Sequence, residues 1–459
     1  MKKADSVIKA PYLITMAPGD RDLHRDWAVA IHSGMIEEIG PYETITSRYE
    51  AAEIHDLAGH LVMPGMINTH GHVPMIGYAG KMPDGIPFDD VLFRYMLPLE
   101  REFLKTPGFV YYCTLLGCRE LAMAGVTTTV EMYYEAEEMI KAFSETGLRA
   151  VIGETVMSDF PAPSGRDARG ALSYIRELHK RLPPAGERLQ ELAVAPHSAY
   201  ACDDETLLSC SSLAGDLGIP LLMHCCETPD EAGKPRDKEA APPSSFYRSR
   251  PSVTSSPLAH LAGIGIFNVP RVLLAHCIYL EESDIEAMAA CGAGASYNGI
   301  CNTQIGLEIA PVAEMQKAGI PVGVGTDGPL TNDRLDILSQ LLPLMCFQRH
   351  RARKSATLSC HAMCAMATIE GARAIGLEKK TGSLEKGKHA DIIALSLDGR
   401  DSTSLYLDND SVYAWIVKKA FPSSVAFSMV GGRKPRIPDR DKIMAELSPA
   451  LERIRAWEP

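Results

Sequence analysis

From about residue 61 to residue 375, short apolar runs alternate with longer stretches of helical period, and most of the apolar runs end in a polar or charged residue. GFVYYCTLLGCRELAMAG (108–125) predicts a helix and VTTTVEMYY (126–134) a strand; MIKAFSETG (139–147) and LRAVIGETV (148–156) repeat that order. RLQELAVAPHSAY, GIPLLMHCCE, RVLLAHCIY, CGAGASYNG and GIPVGVGTDG follow, each a buried-strand run after a helical one. About eight such units over roughly 310 residues match a closed β/α barrel. An open doubly wound sheet is the alternative, but it would normally carry a glycine-rich phosphate turn after its first strand, and NTHGHVPM is not one. The flanks have a different texture. SVIKAPYLITM and WAVAIHSGMIEEIG near the start, and ADIIALSL, YAWIVKKAF and SSVAFSMVGGRKP near the end, are short strand-like runs broken by turn residues. The expected organisation is a β-sandwich shared by residues 1–60 and 376–459, the latter ending in a helix, around a barrel over 61–375.

Composition narrows the partners. A net charge of −12 argues against a nucleic-acid surface. There is no apolar stretch of about 18 residues and no signal-peptide pattern, so neither a membrane span nor export is expected, and cytoplasm is the simplest compartment. The 12 cysteines lack paired C-x-x-C spacing and read as small buried hydrophobes. One segment, 228–257, is rich in proline, serine and charge, and reads either as a lid over the site or as a solvated insertion.

Candidate chemistry lies where the barrel reading puts it, at the C-terminal ends of strands. His70 and His72 follow LVMPGMINT, His197 follows LAVAP, His224 and Glu227 end GIPLLMHCCE, His276 ends RVLLAH, and Asp327 ends PVGVGTD. One histidine after an apolar run is commonly a satisfied core residue. Five, with an aspartate, at successive strand ends suit a divalent ion of the zinc or iron type. Glu227, three residues from His224, either carries protons to a ring nitrogen and a leaving group or orients His224 through its free ring N–H.

PGMINTHGH, MAGVTTTVEMY, APHSAY, HCCETPDE, AHCIYL, IGLEIAPVAEMQKAGIPVGVGTDG and TGSLEKGKHADIIAL, in this order, resemble the amidohydrolase superfamily. Within it, the chain is similar to the branch of S-adenosylhomocysteine/methylthioadenosine deaminases and s-triazine chlorohydrolases. The resemblance implies a metal-bearing barrel and a β-sandwich built from both termini. It implies one divalent ion, zinc before iron, held by His70, His72, His224 and Asp327, because APHSAY stands where binuclear relatives place a carboxylated lysine. It makes Glu227 the proton shuttle and sets His276 against the attacking water or the substrate. Asp327 accepts the water's proton. Glu100 takes the place of a ribose-binding glutamate, or else caps the next helix, and His197 that of a substrate-facing histidine.

Departures from the family pattern bear on specificity. Glu154 stands where these deaminases carry a carboxylate-binding arginine, so an acidic substrate tail is disfavoured; Arg166 is a substitute for that arginine or an exposed loop residue. Tyr297, Asn298 and Gly299 replace His, Cys and Pro, with Asn302 retained, which remodels one pocket wall at Tyr297 and Asn302. The expected activity is metal-dependent deamination of a small amino-substituted heterocycle (purine, nucleoside, pterin or triazine-like) by a homo-oligomeric enzyme. Alternatives are expulsion of chloride or alkylamine, opening of a cyclic amide, or a scaffold without catalysis.

Overall fold

The computed structural model describes residues 1–184, 186–232, 256–332, 334–397 and 407–459. Most of the segment expected as a lid, residues 233–255, lies outside them. Eight parallel strands pair in chain order: Met66–Gly71, Val126–Tyr133, Arg149–Val156, Gln190–Pro196, Leu221–Cys225, Val272–His276, Gly294–Tyr297 and Val322–Val324. Helices cover them outside, so both strand faces are buried and the strands read as near-continuous apolar runs. The helix Asp204–Leu217 illustrates the local logic. The Asp203 carboxylate accepts the Thr206 N–H at 2.8 Å to start it, and Gly218 (φ +66°) ends it.

The ring closes between the eighth strand and the first. The Asp327 N–H donates to the His70 carbonyl at 3.0 Å, and Asn68 brackets Thr326, accepting its N–H (3.0 Å) and donating to its hydroxyl (2.9 Å). Close approach requires Gly325: a Cβ there would lie 2.4 Å from Asn298 Oδ1 and from Ser296 Oγ. The seam that closes the barrel thus also fixes His70 and Asp327.

The termini build one mixed seven-stranded sheet. Its long strand Lys2–Leu13 belongs to two arms: its first part pairs Tyr49–Asp56 and its last part His60–Pro64, while His24–His32 runs antiparallel along it. Ile8, Val29 and Ile36 from one arm share a core with Val62, Ile392 and Met429 from the other. His60–Pro64 leads through Gly65 into the first barrel strand, so the two sheets are joined by one residue. The run YAWIVKKAF, read as strand-like, is instead the helix Ser411–Lys419. Asp408 accepts the Asp410 and Ser411 N–H groups at its start, and Val412, Trp415 and Ile416 are buried at helical spacing. The final helix, Arg440–Ala456, packs Ile443, Leu447, Ala450 and Ile454 into the core it shares with the barrel helix Phe109–Met123. No described helix is long and apolar enough to cross a membrane.

Barrel and terminal sheet are also tied by a buried ion pair. Arg149 donates Nε and Nη2 to the two oxygens of Asp391 at 3.0 and 3.1 Å, and Thr381 and the Gly431 N–H complete the carboxylate's partners. Burial alone would raise the Asp391 pKa, but Arg149 and these donors hold it below 3.8. Because the folded pKa is depressed, the pair's contribution is present at neutral pH and is lost as pH falls through it. Asp391→Ala is expected to cost about 3–5 kcal/mol by leaving Arg149 buried and unpaired. Urea unfolding measures this as a lower midpoint, and pairing the change with Arg149→Met should restore much of the loss.

Candidate metal centre

At the C-terminal mouth of the barrel, His70, His72, His224, His276 and His197 converge with Asp327 and Glu227. Ring centroids of neighbouring imidazoles lie 4.6–5.4 Å apart, and all but the intermediate His197 are buried. His70 Nε2 is 3.5 Å and His72 Nε2 3.2 Å from Asp327 Oδ1. His276 Nε2 is 3.9 Å from Asp327 Oδ2 and 3.5 Å from Glu227 Oε1. Three of these residues are aimed by unusual backbone. Cys226, just before Glu227, His276 and Asp327 have φ of +49°, +71° and +63°, the left-handed region that non-glycine residues adopt only occasionally.

Tautomers follow from the partners. His72 Nδ1 meets the Met132 carbonyl and His224 Nδ1 the His197 carbonyl at 2.8 Å. A carbonyl only accepts, so both Nδ1 atoms carry the proton and both Nε2 atoms present lone pairs. Those two Nε2 atoms are 3.4 Å apart. In neutral rings these two lone pairs face each other, an arrangement that a bound cation, or a proton on His72 Nε2, would relieve. Among the described residues neither ring nitrogen of His70 has a hydrogen-bond partner, and Asp327 Oδ1 lies 3.5 Å from its Nε2.

The electrostatics agree. Burial holds His70 down to about 4, helped by the neighbouring imidazoles, and His197 to about 3; His224 is also pushed well below 6.5. At pH 7 these rings are neutral. His72 is the exception: burial pulls its pKa down, but Asp327 outweighs it, which favours positive charge at this spot. Burial would likewise raise Asp327, yet His70 and His72 hold it well below the carboxylate range. Neutral imidazoles and one ionised carboxylate fit a divalent ion of the zinc class.

Glu227 is buried; its Oε2 accepts from the Tyr200 hydroxyl at 3.3 Å. Burial raises its pKa, with the Asp327 charge adding to the effect and His276 opposing it. His276 Nδ1 is held by Asn302 Oδ1 at 2.9 Å, which turns Nε2 toward the centre. The cavity in front of the cluster is lined by His72, His197, His224, Glu227, His276 and Asp327, with Glu100 deeper along the wall. Burial pushes the Glu100 carboxyl up to about 7. Phe88, Val91, Leu92, Met96 and Ile305 form an apolar side. Among the described lining residues there is no lysine or arginine.

Glu154, Tyr297 and Asn302 do not line this cavity. Glu154 is fully buried, accepts the Ala136 N–H at 2.8 Å and faces Arg166 at 3.3 Å; Arg166 also grips Glu135 through two bonds of 2.8 and 2.9 Å. The expectation that Glu154 meets the substrate is therefore corrected: it points into the helix layer, where burial raises its pKa to about 8 despite the neighbouring Arg166. Tyr297 packs beside Gly299 and Leu344, and Asn302 acts on His276. Arg166→Ala should lower Tm by removing the bonds to Glu135 and Glu154, while kcat/KM ratios between acidic and uncharged substrates stay unchanged. Altered ratios would return Glu154 to the pocket.

Sequence reading missed Tyr200, although it sits three residues after His197, and the Met132 carbonyl, which leaves no side-chain signal. It also missed Glu131, whose buried carboxylate accepts the Val73 N–H and the Thr129 hydroxyl, each at 2.7 Å, directly behind His72. A lone acid inside the run VTTTVEMY was the available clue.

Residues 61–434 match the amidohydrolase family profile. Over 460 aligned positions the chain is 30% identical to a 5-methylthioadenosine/S-adenosylhomocysteine deaminase of Thermodesulfovibrio yellowstonii, covering 98% of each chain. The crystal structure of a zinc-bound adenosine deaminase from Xanthomonas campestris superposes with a TM-score of 0.88 at 25% identity, over 99% of this chain and 100% of that one. The atrazine chlorohydrolase of Arthrobacter aurescens shares the fold, with a TM-score of 0.82 at 20% identity over 97% and 100% of the chains. The barrel, its closing seam and the histidine–aspartate cluster at its mouth are thus those of a member of the amidohydrolase family, to which this chain belongs.

Proposed function

We propose that the protein is a metal-dependent aminohydrolase that replaces the exocyclic amine of a nucleoside-type purine by oxygen, releasing ammonia. The observation that carries this reading is the pair of lone-pair-bearing Nε2 atoms of His72 and His224, with His70 and Asp327 beside them and Glu227 across the cavity. His70, His72, His224 and Asp327 hold a single ion. Zinc is favoured by the nitrogen-rich donor set and by the zinc bound in the Xanthomonas relative. When bound, such an ion supplies Lewis acidity that brings the ionisation of water to near pH 7.

The chain's own residues do the rest. His276, held by Asn302, presents Nε2 toward the attacking water, and Asp327 takes up that water's proton. Glu227, whose pKa burial raises above its ordinary value, gives its proton to the ring nitrogen as the carbon–oxygen bond forms. Glu227, now ionised, takes the proton of the added hydroxyl and hands it to the amine as the carbon–nitrogen bond breaks. Ammonia leaves, the oxygen stays as a carbonyl, and the proton held by Asp327 restores Glu227. The deaminases among the relatives support an adenosine-type ring, and Glu100, protonated near neutral pH, is placed to meet the sugar. Ammonia release from 5′-methylthioadenosine, adenosine, S-adenosylhomocysteine and amino-triazines tests the reading. It stands if an adenine nucleoside is deaminated, and it fails if only chloride or alkylamine is expelled.

A further inference from the structure

We propose that Glu231 is a positioning residue for Glu227, acting through the main chain; this rests on the proton-transfer role proposed for Glu227. The chain leaves the fifth barrel strand at Cys225, turns sharply at Cys226 (φ +49°), and must then aim the Glu227 carboxyl back across the cavity. Glu231 Oε2 accepts the Glu227 N–H at 2.9 Å and the Thr228 N–H at 3.1 Å. In return the Glu231 N–H reaches the Thr228 hydroxyl at 3.4 Å. Thr228-Pro-Asp-Glu231 is thus a reciprocal Thr-x-x-Glu box, used here to lock a turn beside a reacting group. One carboxyl oxygen accepting from two successive amides anchors the turn at both N–H groups.

The contacts at the Glu227 side chain are weaker. The Tyr200 hydroxyl is 3.3 Å from Oε2, and His276 Nε2 is 3.5 Å from Oε1, outside ordinary hydrogen-bond range. The backbone anchor therefore fixes where the carboxyl sits. Among the described residues the Glu231 Oε1 is enclosed and accepts no hydrogen bond, so the carboxyl bonds through Oε2 to the two turn amides. His224 is secured separately, by strand pairing with Ala275 and by the His197 carbonyl, so loosening the turn should spare the ion's ligands.

Glu231→Ala removes the acceptor, and Glu231→Gln keeps an oxygen in the same place. With an adenine nucleoside, Glu231→Ala is expected to lower kcat by about 10–100-fold, as a misplacement of roughly 1 Å does, with KM and zinc content nearly unchanged. Glu231→Gln should restore most of the rate. A 6-chloropurine nucleoside supplies the decisive readout: both substrates need the ring-nitrogen proton from Glu227, but only the amine needs a second proton to depart. Glu231→Ala should therefore slow both reactions, ammonia release by the larger factor. Equal losses on both substrates, an unchanged kcat, or loss of zinc would each overturn the proposal. If Glu231→Ala does not fold, Glu231→Asp, one methylene too short to reach both amides, should show the same larger loss on the amine, and its absence would count against the role. A native enzyme that releases no ammonia at all would instead remove the deaminase reading, a distinct outcome.

Discussion

Replacing His224 by alanine is expected to strip the bound ion and abolish turnover. Its Nε2 is one of two lone pairs 3.4 Å apart, and removing it leaves His72 without the counterpart that makes the site a chelate. His70, His72 and Asp327 remain as donors, and losing one of four ligands from a buried site should lower the affinity far enough that the purified protein carries no ion. The barrel should survive. His224 sits at the end of a strand whose other residues, Leu221, Leu222 and Met223, carry the packing. Elemental analysis and circular dichroism on the same preparation check both statements: no zinc, native fold. A variant that keeps stoichiometric zinc would remove His224 from the ligand set.

Glu227→Gln is expected to keep the metal and lose rate by about 10² or more, since the amide preserves shape and hydrogen-bonding atoms but carries no proton. The loss should fall on kcat, because Glu227 transfers protons after the substrate is bound. The pH profile adds a second reading. Burial raises the Glu227 pKa above its ordinary value, so the protonated form persists to higher pH, and the descending limb assigned to it should disappear in the variant. A Glu227→Gln protein without metal would make this residue a support for His224 instead.

Much of the centre was legible in the sequence because a β/α barrel places chemistry at strand ends, and each of these ends closed an apolar run. His70, His72, His224, His276 and Asp327 meet at one mouth as the spacing implied. Face assignments were harder. In the third barrel strand Val151 belongs to the interior cluster and Thr155 lines the cavity, so the two-residue period sends Glu154 outward; its position near the strand end concealed that parity. His276 shows the opposite effect. Leu273 faces the interior, so parity alone would turn His276 out, and its left-handed backbone brings it back. No pattern of residue types announces such a turn. The helix Ser411–Lys419 escaped because its apolar residues suit a strand equally well, and the Asp408 cap decides between them.

The central claim is that one ion in this cluster, with Glu227 beside it, drives deamination. Ammonia release by metal-depleted protein, titrated with zinc from zero to two equivalents and assayed with an adenine nucleoside, tests it most directly. The account predicts no activity at zero, a linear rise to about one equivalent per chain, and a plateau beyond it. Full activity in the metal-free protein would contradict it.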